Sequence, residues 1–175
     1  EIPLCDWSSD VCSSDLEQVL DYKASFERDG DSLDGTAGLL NFRTFKEWYE
    51  ALLDNSCEAT VREGLVPATT FLAVDENDRL VGMVDLRHRL NDALEKCGGH
   101  IGYSVRKDER RKGYATQMLA LALEECRKMH IMRVLITCNK LNIASARTIM
   151  NNGGVLEDEI RTAERITQRY WITLS

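Results

Sequence analysis

The residues best suited to chemistry lie between Ser104 and Thr116, in the run SVRKDERRKGYAT. At its centre Arg110-Arg111-Lys112-Gly113-Tyr114-Ala115 joins a short apolar stretch to a longer amphipathic one. Small residues at 113 and 115 let a ligand come up against the backbone. A helix starting there leaves the N–H groups of the loop and of its first turn facing outward, an arrangement that binds anions and phosphates above all. Three consecutive cations add charge of the matching sign. The same residues also fit a solvated basic turn, although cations at a helix start oppose its dipole. A phosphate loop of the GxxxxGK[ST] kind is absent, and the glycine-bearing element follows the third strand, not the first. A second cluster, Arg87-His88-Arg89 with Asn91, reads either as a solvated strand end or as a holder for a carboxylate, which arginine grips in bidentate fashion.

The elements that must position these residues follow from periodicity. Apolar residues at 16, 19, 20 and 26 predict a helix over 16–27, and DGDSLDGTAG (29–38) reads as a loop. Thr44 can cap a helix running to Asn55 whose apolar face carries Phe45, Trp48, Tyr49, Leu52 and Leu53. Those aromatics read as core first and as walls of a pocket second. TTFLAV and RLVGMVDLR around the turn DEND predict a β-hairpin over 69–88, and LNDALEKCGG a connecting loop. HIGYSV (100–105) is a third strand, 112–129 an amphipathic helix, and RVLITC (133–138) a buried strand. A helix over 142–154 has Asn142 as its cap and Gly153 as its stop; VLEDEI and QRYWITL close the chain as strands. Glu157-Asp158-Glu159 reads as solvated, or as an acidic rim attractive to a cationic amine, and Tyr170 and Trp171 as core first, with the alternative that one of the two faces a cleft. The order implies an α/β fold in the α+β sense, a mixed sheet with helices on both faces.

The composition excludes several classes. The chain has 175 residues, 43% hydrophobic and 29% charged, which suits one globular domain. No apolar run is long enough to span a membrane, and a net charge of -7 argues against nucleic acid as a partner. Residues 5–16, CDWSSDVCSSDL, resemble a translated sequencing adaptor and show no period, so 1–16 is expected to be a non-native segment and 17–175 a single domain. Without that segment the net charge is -3 and four cysteines remain, Cys57, Cys97, Cys126 and Cys138, in no metal-ligand spacing. Reduced thiols, no metal and a cytoplasmic location are the expectation. No strand is visible before residue 17, so the segment is expected to have displaced a native first strand. The sheet edge this exposes would favour a homodimer.

Arg110-x-x-Gly113-x-Ala115, after a strand and opening a helix, resembles the acetyl-CoA signature of the GNAT superfamily of N-acetyltransferases, where the pattern is Gln/Arg-x-x-Gly-x-Gly/Ala. The strand 133–138 and the helix begun by Asn142-x-x-Ser145 sit where that family places its next elements, and the resemblance covers 17–175. VPATTFLAV, LRHRLN, GGHIGYSV and QRYWITL look like a subgroup of bacterial acetyltransferases of undefined substrate.

The resemblance implies a mostly antiparallel sheet splayed between the strands at 100–105 and 133–138. It implies acetyl-CoA as cosubstrate, with direct transfer of acetyl to the primary amine of a small molecule or peptide. Pyrophosphate would rest on the N–H groups of 111–115, among Arg110, Arg111, Lys112, Gly113, Tyr114, Ala115 and Thr116. Pantetheine would pair near Val105, the Tyr103 N–H would polarise the thioester carbonyl, and Asn142 and Ser145 would line the other side. His100 is the first candidate for the base and His88 the second. The family often keeps a tyrosine seven residues beyond the asparagine as acid for the departing thiolate. Here Ile149 stands there, leaving Tyr103 or unaided departure. An acyl-CoA-sensing module without turnover is the alternative.

Overall fold

The fold grows from hairpins whose turns and caps the sequence specifies. The computed structural model describes residues 4–6 and 13–175. Strand β2 (Ala68–Val74) pairs antiparallel with β3 (Leu80–Arg87), and the Asp75 carboxylate closes their turn by accepting the N–H groups of Asn77 and Arg79. β3 pairs in turn with β4 (Ile101–Val105). Helix α1 (Ser13–Asp29) and helix α2 (Phe45–Asp54) cover one face of these strands. Thr44 and Glu47 form a reciprocal capping box at the start of α2, as the threonine cap predicted. Val19, Tyr22, Phe26, Trp48, Leu72, Leu80 and Met83 pack between. Trp48 is fully buried and its Nε1–H donates to the Thr36 carbonyl, so it belongs to the core.

The other face carries helix α4 (Tyr114–Lys128) and helix α5 (Ile143–Asn151). Their apolar sides, with Met118, Leu119, Ala122 and Ile149, share one core with Val84, Leu86, Ile101 and Val134. Strand β5 (Arg133–Asn139) pairs with β7 (Ile166–Thr173), and β7 with β6 (Val155–Arg161), giving a second sheet in the order β5-β7-β6. No described helix is long and apolar enough to cross a membrane.

Two expectations need correction. A short strand β1 (Leu4–Asp6) lies inside the segment read as strandless and pairs antiparallel with Phe71–Ala73 of β2. Main-chain groups along the β2 edge can pair with any extended segment, so three residues suffice where no side-chain period is visible. Helix α1 accordingly starts at Ser13. Trp7, Asp10 and Cys12 lie outside the described residues. The stretch read as a plain connection holds a helical turn, α3 (Asp92–Lys96), whose first N–H groups the Asn91 side chain caps at Leu94.

Among the described residues, backbone hydrogen bonds join the two sheets at one place. Gly99 bridges Ile136, the His100 N–H donates to the Leu135 carbonyl at 2.7 Å, and the Gly98 N–H donates to Thr137 Oγ1 at 3.0 Å. Along β4 itself, among the described residues, no backbone hydrogen bond crosses to β5. The sheet is therefore split between β4 and β5, as the resemblance implied. Gly99 is held at φ +69°, and a Cβ there would lie 2.4 Å from the Leu135 carbonyl oxygen. Gly99→Ala is expected to destabilise the protein by about 2 kcal/mol or more, read as a fall in thermal midpoint of several degrees. An unchanged midpoint would mean the strands do not approach this closely.

Candidate functional site: the gap between β4 and β5

The register of β3 on β4 decides which backbone groups face the gap. The Arg87 N–H donates to His100 O, and the Arg106 N–H donates to Val81 O. In an antiparallel ladder hydrogen-bonded pairs alternate, so residues 102 and 104 also turn their polar groups toward β3. Tyr103 pairs opposite Val84 and Val105 opposite Gly82, both in the alternate set. Their N–H groups consequently point away from β3, into the gap.

The loop after β4 is braced by ion pairs. Arg106, buried, meets Asp21 at 2.7 Å, and Arg79 meets Glu109 at 2.8 Å. Arg110 turns back: its Nε donates to the Val105 carbonyl at 3.1 Å, its Nη2 meets Asp31 at 2.9 Å, and its guanidinium lies over Phe26. Lys112 pairs with Glu109 at 2.7 Å. Two of the three cations that made the motif conspicuous are thus neutralised by carboxylates. Arg111, exposed at φ +64°, has no ion-pair partner among the described residues.

The backbone is the stronger feature. Gly113 caps α4 at φ +91° with no side-chain hydrogen bond, and a Cβ on it would touch nothing within 4 Å. The N–H groups of Thr116 and Gln117 turn inward to Gly113 O. Those of Arg111 through Ala115 have no acceptor among the described residues. A row of free donors at the positive end of a 15-residue helix, beside open space, has the geometry and charge that suit an anion. Tyr114, Ala115 and Thr116 are half-buried at its rim.

Across the gap stands the start of α5. The Tyr103 hydroxyl lies 2.9 Å from Ser145 Oγ and 3.4 Å from Ser145 O. Burial pushes this phenol up to about 12, so it stays protonated. Cys138 lies beside it on β5, its thiol also pushed up by burial, which makes it inert. Asn142 is exposed and its Oδ1 accepts the Ser145 N–H at 3.1 Å, the cap its position predicted. Ile149 is fully buried and offers no proton.

The two histidines differ. His100 is buried, and its Nδ1 accepts the Leu135 N–H at 3.0 Å. A backbone N–H can donate only to a lone pair, so the proton of the neutral ring sits on Nε2. Burial, with Arg87 nearby, pushes His100 down to about 4. In this arrangement no lone pair remains to take a proton from an amine. His88 is half-buried, with Nε2 2.8 Å from Thr69 Oγ1, and burial lowers its pKa while Asp85 and Glu58 oppose the shift. It is neutral near pH 7 and no hydrogen bond engages its Nδ1 among the described residues.

The arginines flanking His88 are engaged. Arg87 meets Asp85 at 3.3 Å and Arg89 meets Glu58 at 2.8 Å, so neither is an open carboxylate clamp. The acidic run is likewise paired: Arg169 meets Glu157 and Asp158, and Lys140 meets Glu159. Tyr170 is buried, while Trp171 is half-buried under Arg133 and donates to Glu157. The sequence assigns no functional role to Asp85, inside the predicted strand, or to Gly98-Gly99, in the predicted connection; a charge inside an apolar strand and two adjacent glycines before another are the available signals.

The acetyltransferase (GNAT) domain model matches residues 18–155. The chain belongs to the GNAT acetyltransferase family. None of the curated proteins matches it. Among solved structures, the ribosomal-protein-S5-alanine acetyltransferase of Vibrio fischeri shares 20% identity at a TM-score of 0.52, over 61% of each chain. The protein yncA of Salmonella typhimurium, solved with its cofactor acetyl-CoA, shares 14% at 0.50, over 62% of this GNAT chain and 65% of its own. A chimera of the Vibrio cholerae spermidine N-acetyltransferase SpeG and hSSAT shares 15% at 0.62, over 98% and 95%. At these identities the likeness is one of fold.

The buried imidazole yields a pH prediction. Unfolded histidine titrates near 6.5 and folded His100 near 4, so the unfolded chain binds the extra proton between these values. Its contribution is complete above about pH 6.5 and is lost as pH falls toward 4, a change on the order of 3 kcal/mol. In His100→Asn, whose side-chain oxygen can accept the Leu135 N–H, urea unfolding should show a correspondingly shallower loss over that window. Equal slopes in parent and variant would remove His100 as a buried neutral group.

Proposed function

We propose that the protein is an acetyl-CoA-dependent N-acetyltransferase that moves acetyl to a primary amine by direct transfer within a ternary complex. The observation that carries this reading is the unpaired N–H row of Arg111–Ala115, in the loop and helix start that follow the gap-facing Tyr103 and Val105 N–H groups of β4. Pyrophosphate fits the first set, helped by Arg111, and the pantetheine arm fits the strand-like edge of β4. Open space at Gly113 and the split sheet leave room for both.

Acetyl-CoA supplies an acyl group on a thiol leaving group. The Tyr103 N–H polarises the thioester carbonyl where negative charge develops. His88 lies four residues beyond the position opposite Tyr103, about 13 Å along β3, and takes the ammonium proton through ordered water, in preference to His100, whose lone pair is engaged. The amine nitrogen then bonds to the carbonyl carbon as the carbon–sulfur bond breaks, and its second proton passes to the departing thiolate, leaving a neutral amide and the CoA thiol. The neutral Tyr103 hydroxyl, held near Ser145, can donate a hydrogen bond to that sulfur. Ser145 lines the far side of the gap; Asn142 acts there through its cap. Two structural neighbours named for the amines of an alanine and of spermidine support an amine acceptor, small molecule or peptide. The sensing alternative has Ile149, where a proton donor would serve turnover, in its favour.

Calorimetric titration should find acetyl-CoA binding, and Gly113→Asp should abolish it, since a carboxylate would enter the anion site and strain φ at +91°. Unchanged affinity in that variant would overturn the pyrophosphate assignment. His88→Ala is expected to lower kcat by about a hundredfold or more with acetyl-CoA affinity intact. Parent activity in this variant would remove His88 as base. Tight acetyl-CoA binding with no CoA release across amine panels would favour the sensor.

A further inference from the structure

The segment preceding β4 is poorly suited to fix anything by itself. Gly98 and Gly99 both have positive φ, and glycine has more backbone freedom to lose than any other residue. Yet they form the junction of the two sheets. Their N–H groups are held, Gly98 by Thr137 Oγ1 and Gly99 by Leu94 O. Their carbonyls are held by Arg87, whose Nη1 donates to Gly98 O at 3.4 Å and Gly99 O at 3.3 Å. Asp85 meets the other Nη at 3.3 Å and also accepts from Thr70 Oγ1 at 3.0 Å. Asp85 is 4% exposed within a strand that is otherwise apolar through Leu86, so its charge carries a desolvation penalty. Such a group is explained by what it holds in place.

We propose that Arg87, held by Asp85, is a positioning residue for acetyl-CoA: its grip on the Gly98 and Gly99 carbonyls sets how far β4 opens from β5. The inference rests on the acetyltransferase reading for its ligand, but the clamp itself acts in the free protein. The leverage is geometric. β4 extends five residues beyond the junction, roughly 16 Å, so a tilt of about 10° there moves its far end by about 3 Å. That is enough to misplace the Tyr103 and Val105 N–H groups against the donors of Arg111–Ala115.

The test pairs amide hydrogen exchange in the free protein with acetyl-CoA titration. In Arg87→Gln, exchange at the His100 and Leu135 amides should rise by about tenfold or more, that of Leu119 in α4 should not change, and acetyl-CoA should bind about tenfold more weakly. Arg87→Lys, which keeps the charge but not the fork, should recover part of both. The double variant Asp85→Asn/Arg87→Gln leaves no uncompensated buried charge and should regain thermal stability without regaining affinity. Unchanged junction exchange in folded Arg87→Gln, or parent affinity in the double variant, would overturn the proposal. If the parent itself binds no acetyl-CoA the acetyltransferase reading falls, while the exchange data still decide the clamp.

Discussion

Leu135 exchanges two hydrogen bonds with His100, one through the backbone and one through the imidazole, and the rest of the site depends on that pairing. It ties the four-stranded sheet to the three-stranded one at the end of β4 where Gly99 lets the strands touch. Beyond it the strands separate, and the edge groups of Tyr103 and Val105 are left facing the gap. A sheet edge opened inside a protein is ordinarily a liability, because unpaired N–H and C=O groups are costly to bury. Here it becomes useful: an extended ligand with amide groups of its own can complete the ladder.

Charge around the start of α4 is managed in the same spirit. Arg110 and Lys112 belong to the framework through Asp31, Val105 O and Glu109, and Arg106 and Arg79 stiffen the same turn. The loop is thus braced by paired charges, while the donors free to meet a ligand are backbone N–H groups with fixed directions. Directional donors on a rigid loop suit a phosphate better than flexible side chains, because little freedom remains to be lost on binding.

Much of this was legible in the sequence. The hairpin, the α4 stripe, the Thr44 and Asn142 caps and the split between β4 and β5 follow from periodicity, capping chemistry and the Arg110-x-x-Gly113-x-Ala115 resemblance. Three features were not legible. A three-residue strand at Leu4–Asp6 has no period to detect, since it is held by main-chain bonds. The engagement of the cations with Asp31 and Glu109 depends on which carboxylates the fold brings near; one lies some eighty residues away in the chain. The state of His100 depends on burial and on a single donor from β5, neither visible in GGHIGYSV. Residue type picks out both histidines; only tertiary placement shows that the Nδ1 lone pair of His100 is already used while the Nδ1 of His88 has no hydrogen-bond partner among the described residues.

The most direct test of this account is an amide chemical-shift titration of the protein with acetyl-CoA. The largest changes should fall on the N–H groups of Arg111–Ala115 and of Tyr103 and Val105, with the Leu135 and His100 amides moving little because the junction stays closed. Saturable shifts elsewhere, with those groups unmoved, would contradict the claim that the split between β4 and β5 is where this family member holds its cosubstrate.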